Sequence, residues 1–99
     1  MTVLIPVNNK SRHECTIASI EENRAWALIR LDEGKICDVE FYERREDILE
    51  WIDSLVVINE QEYVWPFLDE GIEVLIAHTQ KSIDEIIEAY LFKDLHDFQ

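Results

Sequence analysis

Apolar residues are spaced in two different ways along this chain, and each spacing predicts one kind of secondary structure. Consecutive apolar residues, or strict alternation with polar ones, indicate strands, whereas apolar residues three and four positions apart indicate helices. The pattern predicts three helices, whose apolar stripes lie at 48–52, 63–68 and 83–91. It predicts five strands, at 2–7, 25–31, 36–42, 55–58 and 72–77. The order of elements is therefore βββαβαβα.

The second and third predicted strands are joined by residues 32–35, where Gly34 can adopt a positive φ angle. Two strands joined by so short a connection predict a β-hairpin. In the third strand Cys37 shares its side of the alternation with Val39 and Phe41. We therefore expect Cys37 to be a small buried hydrophobe.

Helix-end signals and the alternation of elements together define the predicted fold. Ser82 and Glu85 form a capping box before the last helix, and Gly71 is suited to end the helix before it. Strands that alternate with helices after the hairpin must be parallel and joined by right-handed crossovers. The prediction is an α/β domain with a five-stranded mixed sheet, in which 2–7 is central, the hairpin forms an edge and helices cover both faces.

The composition limits the classes of partner. A length of 99 residues suits one domain, and 22 acidic against 9 basic residues give a net charge of −13. Such a charge repels phosphate backbones and anionic lipid, so it argues against nucleic acid and membranes but not against a basic protein or a cation. Two cysteines, no signal-peptide pattern and no apolar run near ~20 residues predict a cytoplasmic protein.

The side chains that could carry chemistry are few. There is no glycine-rich phosphate loop, no nucleophile elbow and no CxxC pair, so we predict that the protein is not an enzyme. His13 and Cys15 follow the first strand and His78 follows the fifth, and imidazole and thiolate bind zinc, iron and iron–sulfur clusters. Ligands of such sheets bind beyond the carboxyl ends of the strands, so we predict a cofactor site there, its metal unknown. The alternative is an exposed His13 and a partly packed Cys15.

Several sequence strings resemble one known family. They are Ile5-Pro6-Val7, DEGKI at 32–36, LDEGIEV at 68–74, and the apolar face of the closing helix. Together with the order of elements they resemble the nitrogenase iron–molybdenum cofactor biosynthesis family, which includes NifX-type carriers and the C-terminal domain of NifB. The resemblance implies a ribonuclease H-like fold. It also implies a small non-catalytic NifX-like protein that carries an iron–sulfur or iron–molybdenum cofactor or its precursor.

The sequence departs from that family where the family binds its cofactor. The family usually has Ser-x-His-Phe-Gly after the first strand, but an ungapped count from Gly34 places Ser19-Ile20-Glu21 at the His-Phe-Gly positions. Its glycine-rich turn after the fourth strand is replaced by the sequence Asn-Glu-Gln-Glu at 59–62, which does not offer an anionic cluster the same backbone amides. A second interpretation therefore stays open, namely a divergent member without cofactor that acts as a protein-interaction module or a homodimer.

Overall fold

A six-stranded mixed sheet organises the protein in its computed structural model, which describes residues 1–98. The strands are β1 (Thr2–Val7), β2 (Ala25–Asp32), β3 (Lys35–Tyr42), β4 (Ser54–Val57), β5 (Glu73–Ile76) and β6 (His96–Asp97). They lie in the order β3-β2-β1-β4-β5-β6, and β1, β4 and β5 are parallel to one another. The mixed α/β sheet with a hairpin at one edge is confirmed. The count of five strands was wrong, because β6 adds to the free edge of β5.

Two α-helices follow the hairpin, at Trp65–Asp69 (α1) and Ile83–Leu91 (α2). The predicted helix at 48–52 is wrong, since these residues are not helical and only a 3-10 turn at Arg45–Asp47 precedes them. The chain must cross β2 and β1 between the end of β3 and the start of β4, a distance of about 14 Å at the usual strand spacing. Five helical residues would span only about 7.5 Å, so an extended path is favoured.

Both faces of the sheet are covered, as expected. On one face the isoleucines of α2 pack against the odd-numbered residues of β1, such as Val3 and Ile5. On the other face Phe67 of α1 joins a cluster with Leu4 and Ile52. Every residue of β1 is buried because it lies inside the sheet with helices on both sides.

Gly34 and Gly71, which the sequence predicts in a hairpin turn and at a helix end, both have positive φ angles. Glu33 (φ 52°) and Gly34 (φ 76°) form the two-residue loop of the β2–β3 hairpin. Gly71 (φ 82°) ends α1 in a Schellman motif, in which its N–H donates to Leu68 O at 3.0 Å. This ending stops α1 early and turns the chain into β5.

A β-bulge in the third strand changes the side to which Cys37 points. The pairing of β2 with β3 moves from Arg30 opposite Asp38 to Leu31 opposite Ile36, which leaves Cys37 without a partner in β2. An extra residue of this kind inverts the alternation beyond it. Ile36 therefore packs against the core, whereas Cys37 is exposed. The expectation that Cys37 is a buried hydrophobe was wrong.

The capping box of α2 is confirmed and carries a first prediction. Ser82 Oγ accepts the Glu85 N–H at 3.1 Å, and Glu85 Oε1 accepts the Ser82 N–H at 3.0 Å. Ser82→Ala should lower the free energy of unfolding by about 1 kcal/mol, because it leaves a helix N–H without its acceptor. Urea denaturation measures this loss, and Ser82→Asp, which keeps an acceptor, should restore most of it. Equal stability of the alanine variant and wild type would contradict the role of the cap.

Candidate functional site

The loop after β1 is folded tightly against the start of α2. Asn8 Oδ1 accepts the Thr16 N–H at 2.9 Å and Asn8 Nδ2 donates to Thr16 Oγ1 at 3.0 Å, so these two residues close the loop. The Ile17 N–H donates to Lys81 O at 2.8 Å and holds the loop beside the helix. The loop therefore lies at the carboxyl ends of the parallel strands, the edge at which the sequence places a ligand site.

Cys15 points into the core from this loop. It is only 1% exposed and belongs to the cluster that contains Ile83 and Ile86. Burial raises the pKa of the Cys15 thiol, and the nearby charge of Arg12 opposes this shift only partly. Because the thiolate is the form that binds metals, a buried thiol with a raised pKa is a poor ligand.

The two histidines of the predicted site lie in different surroundings. The side chain of His13 is 77% exposed, and its Nδ1 lies 3.9 Å from Asp84 Oδ2 on α2. His78 contacts His96 instead, with ring centroids 4.2 Å apart. In the part of the chain that the structure describes, no three His, Cys, Asp or Glu side chains are arranged to hold a metal ion. The structure therefore does not bring His13, Cys15 and His78 together, and their binding of a cofactor stays a prediction.

The backbone amide of Ile20 has a hydrogen-bond acceptor within the chain. Ile20 lies in the Ser19-Ile20-Glu21 stretch, and its N–H donates to Glu62 Oε2 at 2.6 Å. Glu62 belongs to the Asn-Glu-Gln-Glu sequence at 59–62. A carboxylate of the chain itself therefore accepts this hydrogen bond, and the amide is not free for an anionic ligand.

The opposite burial of the two cysteines predicts different reactivities. With Ellman's reagent at neutral pH, one thiol of the native protein should react fast, because Cys37 is exposed and Cys15 is buried. Cys37→Ser should remove the fast phase, whereas Cys15→Ser should keep it. Two fast thiols in the native protein, or a fast phase that survives in Cys37→Ser, would contradict this placement.

The amino-terminal edge of the parallel strands holds a cavity of about 510 Å³. Beside it Ser54, which is 1% exposed, donates from Oγ to Glu73 Oε1 at 2.9 Å and lies 3.0 Å from Tyr90 Oη. These polar groups satisfy one another between β4, β5 and α2. We interpret them as structural, because buried polar groups need such partners whatever the function is.

A surface of exposed apolar side chains lies on the α1 side of the sheet. We call it the aromatic surface, and it consists of Leu49 (94% exposed), Trp51 (59%), Trp65 (63%) and Leu68 (37%). Leu49 and Trp51 lie two positions apart in the segment before β4, and Trp65 and Leu68 lie three apart on α1, a spacing that places side chains on one side of a helix. Sequence reasoning missed this surface, because the apolar stripe at 48–52 was interpreted as a buried helix face.

Contacts hold residues 45–53 beside α1 and the turn that follows it. Arg45 Nη2 lies 2.8 Å from Glu70 Oε1, and the Arg45 guanidinium stacks 5.1 Å from the centroid of Phe67. The Trp51 ring lies beside Gly71, since a Cβ added at Gly71 would lie 3.9 Å from Trp51 Cη2. Trp51 therefore lies beside the end of α1, and Arg45 ties the 3-10 turn to the same helix.

A cluster of carboxylates is fixed next to the aromatic surface by one arginine. Arg30 Nη2 lies 2.6 Å from Glu50 Oε1 and 2.8 Å from Glu40 Oε1, and Nη1 pairs with Asp38. The hydrogen bonds that Arg30 donates to Glu50 and Glu40 raise the pKa of Arg30, and Arg30 in turn lowers the pKa of Glu50. Three carboxylates around one guanidinium leave an excess of negative charge beside Trp51.

Three solved structures share this fold. A crystal structure of a protein called PH0822 has a TM-score of 0.76 at 15% identity, and the match covers 98% of this chain and 96% of that one. A crystal structure from Methanocaldococcus jannaschii, named a "putative dinitrogenase", has a TM-score of 0.73 at 15% identity, with 100% and 95% covered. An NMR structure under the same protein name has a TM-score of 0.75 at 16% identity, with 100% and 93% covered.

These likenesses concern the fold alone, because the sequences are 15–16% identical. No protein-family model matches the sequence, and no curated protein matches it. Among the described residues, no helix is long and apolar enough to cross a membrane.

Proposed function

We propose that this protein is a small, non-catalytic protein-interaction module that binds a positively charged protein through its aromatic surface. The observation that carries the proposal is the exposure of Leu49, Trp51, Trp65 and Leu68 on two adjoining segments. Burying one such side chain on binding stabilises by about 1.5–3 kcal/mol before the costs of association. Tryptophan is also among the residues most enriched at the energetic centres of interfaces.

Charge supports a basic partner. Five exposed carboxylates lie in residues 45–53 and 65–70 beside the aromatic surface, namely those of Glu46, Asp47, Glu50, Asp69 and Glu70. An apolar centre with a charged rim is the usual anatomy of a protein interface, and complementary charge gives fast association and specificity. A second copy of this chain would bring like charges together, so we favour a different protein over a homodimer on this surface.

A cofactor carrier is the second candidate function. It is supported by the fold that the chain shares with the Methanocaldococcus jannaschii protein. The donor set supports it less well, because Cys15 is buried with a raised pKa and Glu62 already accepts the Ile20 N–H. An iron–sulfur or iron–molybdenum cofactor would need the loop after β1 to rearrange before Cys15 became a ligand.

Anaerobic reconstitution with iron and sulfide separates the two candidates. For an interaction module we expect a colourless protein with far less than one iron per chain. Stoichiometric iron and visible absorption, both lost in His13→Ala and in Cys15→Ala, would favour the carrier.

We also propose that the module acts in the cytoplasm. Both cysteines are free, in keeping with a compartment in which thiols stay reduced. The net charge of −13 disfavours nucleic acid and anionic membranes as partners.

Comparative capture from a lysate of the producing organism tests the proposal. The bait proteins are wild type, Trp51→Ala and Phe92→Ala, the last being a matched control with an exposed aromatic residue (72%) at the end of α2 on the other face of the sheet. We expect a basic protein that binds wild type and Phe92→Ala and is lost with Trp51→Ala. Identical captures by all three baits, or self-association in place of a partner, would overturn the proposal.

A further inference from the structure

Two exposed imidazoles contact each other at the carboxyl-end edge of the sheet. The rings of His78 and His96 lie 4.2 Å apart between centroids and meet edge to face at 78°. Both residues are exposed, so water and dissolved ions reach them. The contact joins the segment after β5 to β6, and no sequence motif contains both histidines.

The backbone holds the two histidines on the same face of the sheet. His96 lies opposite Ile76 in the antiparallel β5–β6 pair, and His78 follows Ile76 by two positions, which makes His78 and His96 diagonal neighbours. The Ala77 N–H donates to Val57 O at 2.9 Å, and the Phe98 N–H donates to Val74 O at 3.1 Å. These backbone hydrogen bonds fix the two segments that carry the histidines.

The charge of the whole protein attracts cations. Its net charge of −13 raises the local concentration of positive ions at exposed groups such as this pair.

We propose that His78 and His96 together bind a divalent transition metal ion of the class that prefers imidazole, such as Ni²⁺, Cu²⁺ or Zn²⁺. Hard cations such as Mg²⁺ prefer oxygen ligands, so the pair selects against them. No third His, Cys, Asp or Glu within residues 1–98 completes a metal-holding group, so the remaining coordination positions are open to water or to an added ligand. The site is distinct from the aromatic surface and does not depend on the proposed interaction.

Calorimetric titration with Ni²⁺ in the presence of excess Mg²⁺ tests the site. Mg²⁺ occupies the surface carboxylates and removes non-specific binding from the measurement. We expect one Ni²⁺ per wild-type chain, bound at least about tenfold more weakly by His78→Ala and by His96→Ala, since even the loss of a group outside a metal's own ligands costs about 10–100-fold.

The chain provides a matched control for this titration. His13→Ala removes an exposed imidazole that lies beside Asp84 rather than beside a second histidine, so this variant should bind Ni²⁺ as wild type does. Circular dichroism of each variant establishes that it is folded. Equal binding by all four proteins, an equal loss in His13→Ala, or no binding above that of the double variant His78→Ala/His96→Ala would overturn the proposal.

Discussion

Replacing Ile87 with alanine should lower the free energy of unfolding by about 2–5 kcal/mol. Ile87 lies in the middle of α2, is 2% exposed and belongs to the core cluster that includes Val3 and Ile5 of β1. Truncation removes buried methyl and methylene groups and leaves a cavity that a close-packed interior fills only partly. The loss should be large because the chain has only 99 residues and one sheet to stabilise it.

Leu91→Ala is the matched control for Ile87→Ala. Leu91 lies one turn further along α2 and is 40% exposed, so its truncation should cost much less. Urea denaturation followed by far-ultraviolet circular dichroism gives both values, and similar slopes would show that the unfolded states are comparable. An unchanged midpoint for Ile87→Ala would mean that α2 does not dock on β1 in the way described.

Elements with local signals could be predicted from the sequence. A few neighbouring residues determine each of three features. These are the continuous apolar run of β1, the glycine in the hairpin turn and the Ser82–Glu85 capping box. Gly71 likewise ends α1 because a positive φ angle there costs little without a side chain. These elements fix the parallel strands and therefore the general α/β architecture.

Elements that depend on distant parts of the chain could not be predicted. The strand β6 has two exposed residues, His96 and Asp97, and exists because it pairs with Leu75 and Ile76. The bulge at Cys37 is a property of the pairing with β2 and leaves no mark in the alternation of β3 itself. The local sequence pattern therefore predicts neither the pairing of β6 with β5 nor the bulge at Cys37.

The candidate site shows the same limit. On an extended chain His13 and Cys15, which lie two positions apart, would point the same way. The Cys15 N–H instead donates to Ser11 O at 3.0 Å, so the loop curls between them. This turn directs Cys15 into the core and leaves His13 in solvent near Asp84. His96, which His78 contacts, lies in the strand that the sequence did not reveal.

Replacing Trp51 with alanine should weaken the binding of the basic partner by roughly 30-fold or more, which corresponds to about 2 kcal/mol. Trp51 lies between the exposed Leu49 and the end of α1, next to the carboxylates that Arg30 holds. Central tryptophans with a charged rim are the side chains whose truncation costs an interface most. Because Trp51 is 59% exposed in the free protein, its loss should disturb folding much less than it disturbs binding.

Equilibrium titration of the captured, purified partner is the most direct test that the aromatic surface is the functional site. Wild type, Trp51→Ala and Phe92→Ala are compared at low and at high salt. The account predicts a large loss of affinity for Trp51→Ala only, and weaker binding of wild type at high salt, because screening reduces the attraction of opposite charges. Equal affinities of the three proteins, or an affinity that salt does not change, would contradict it.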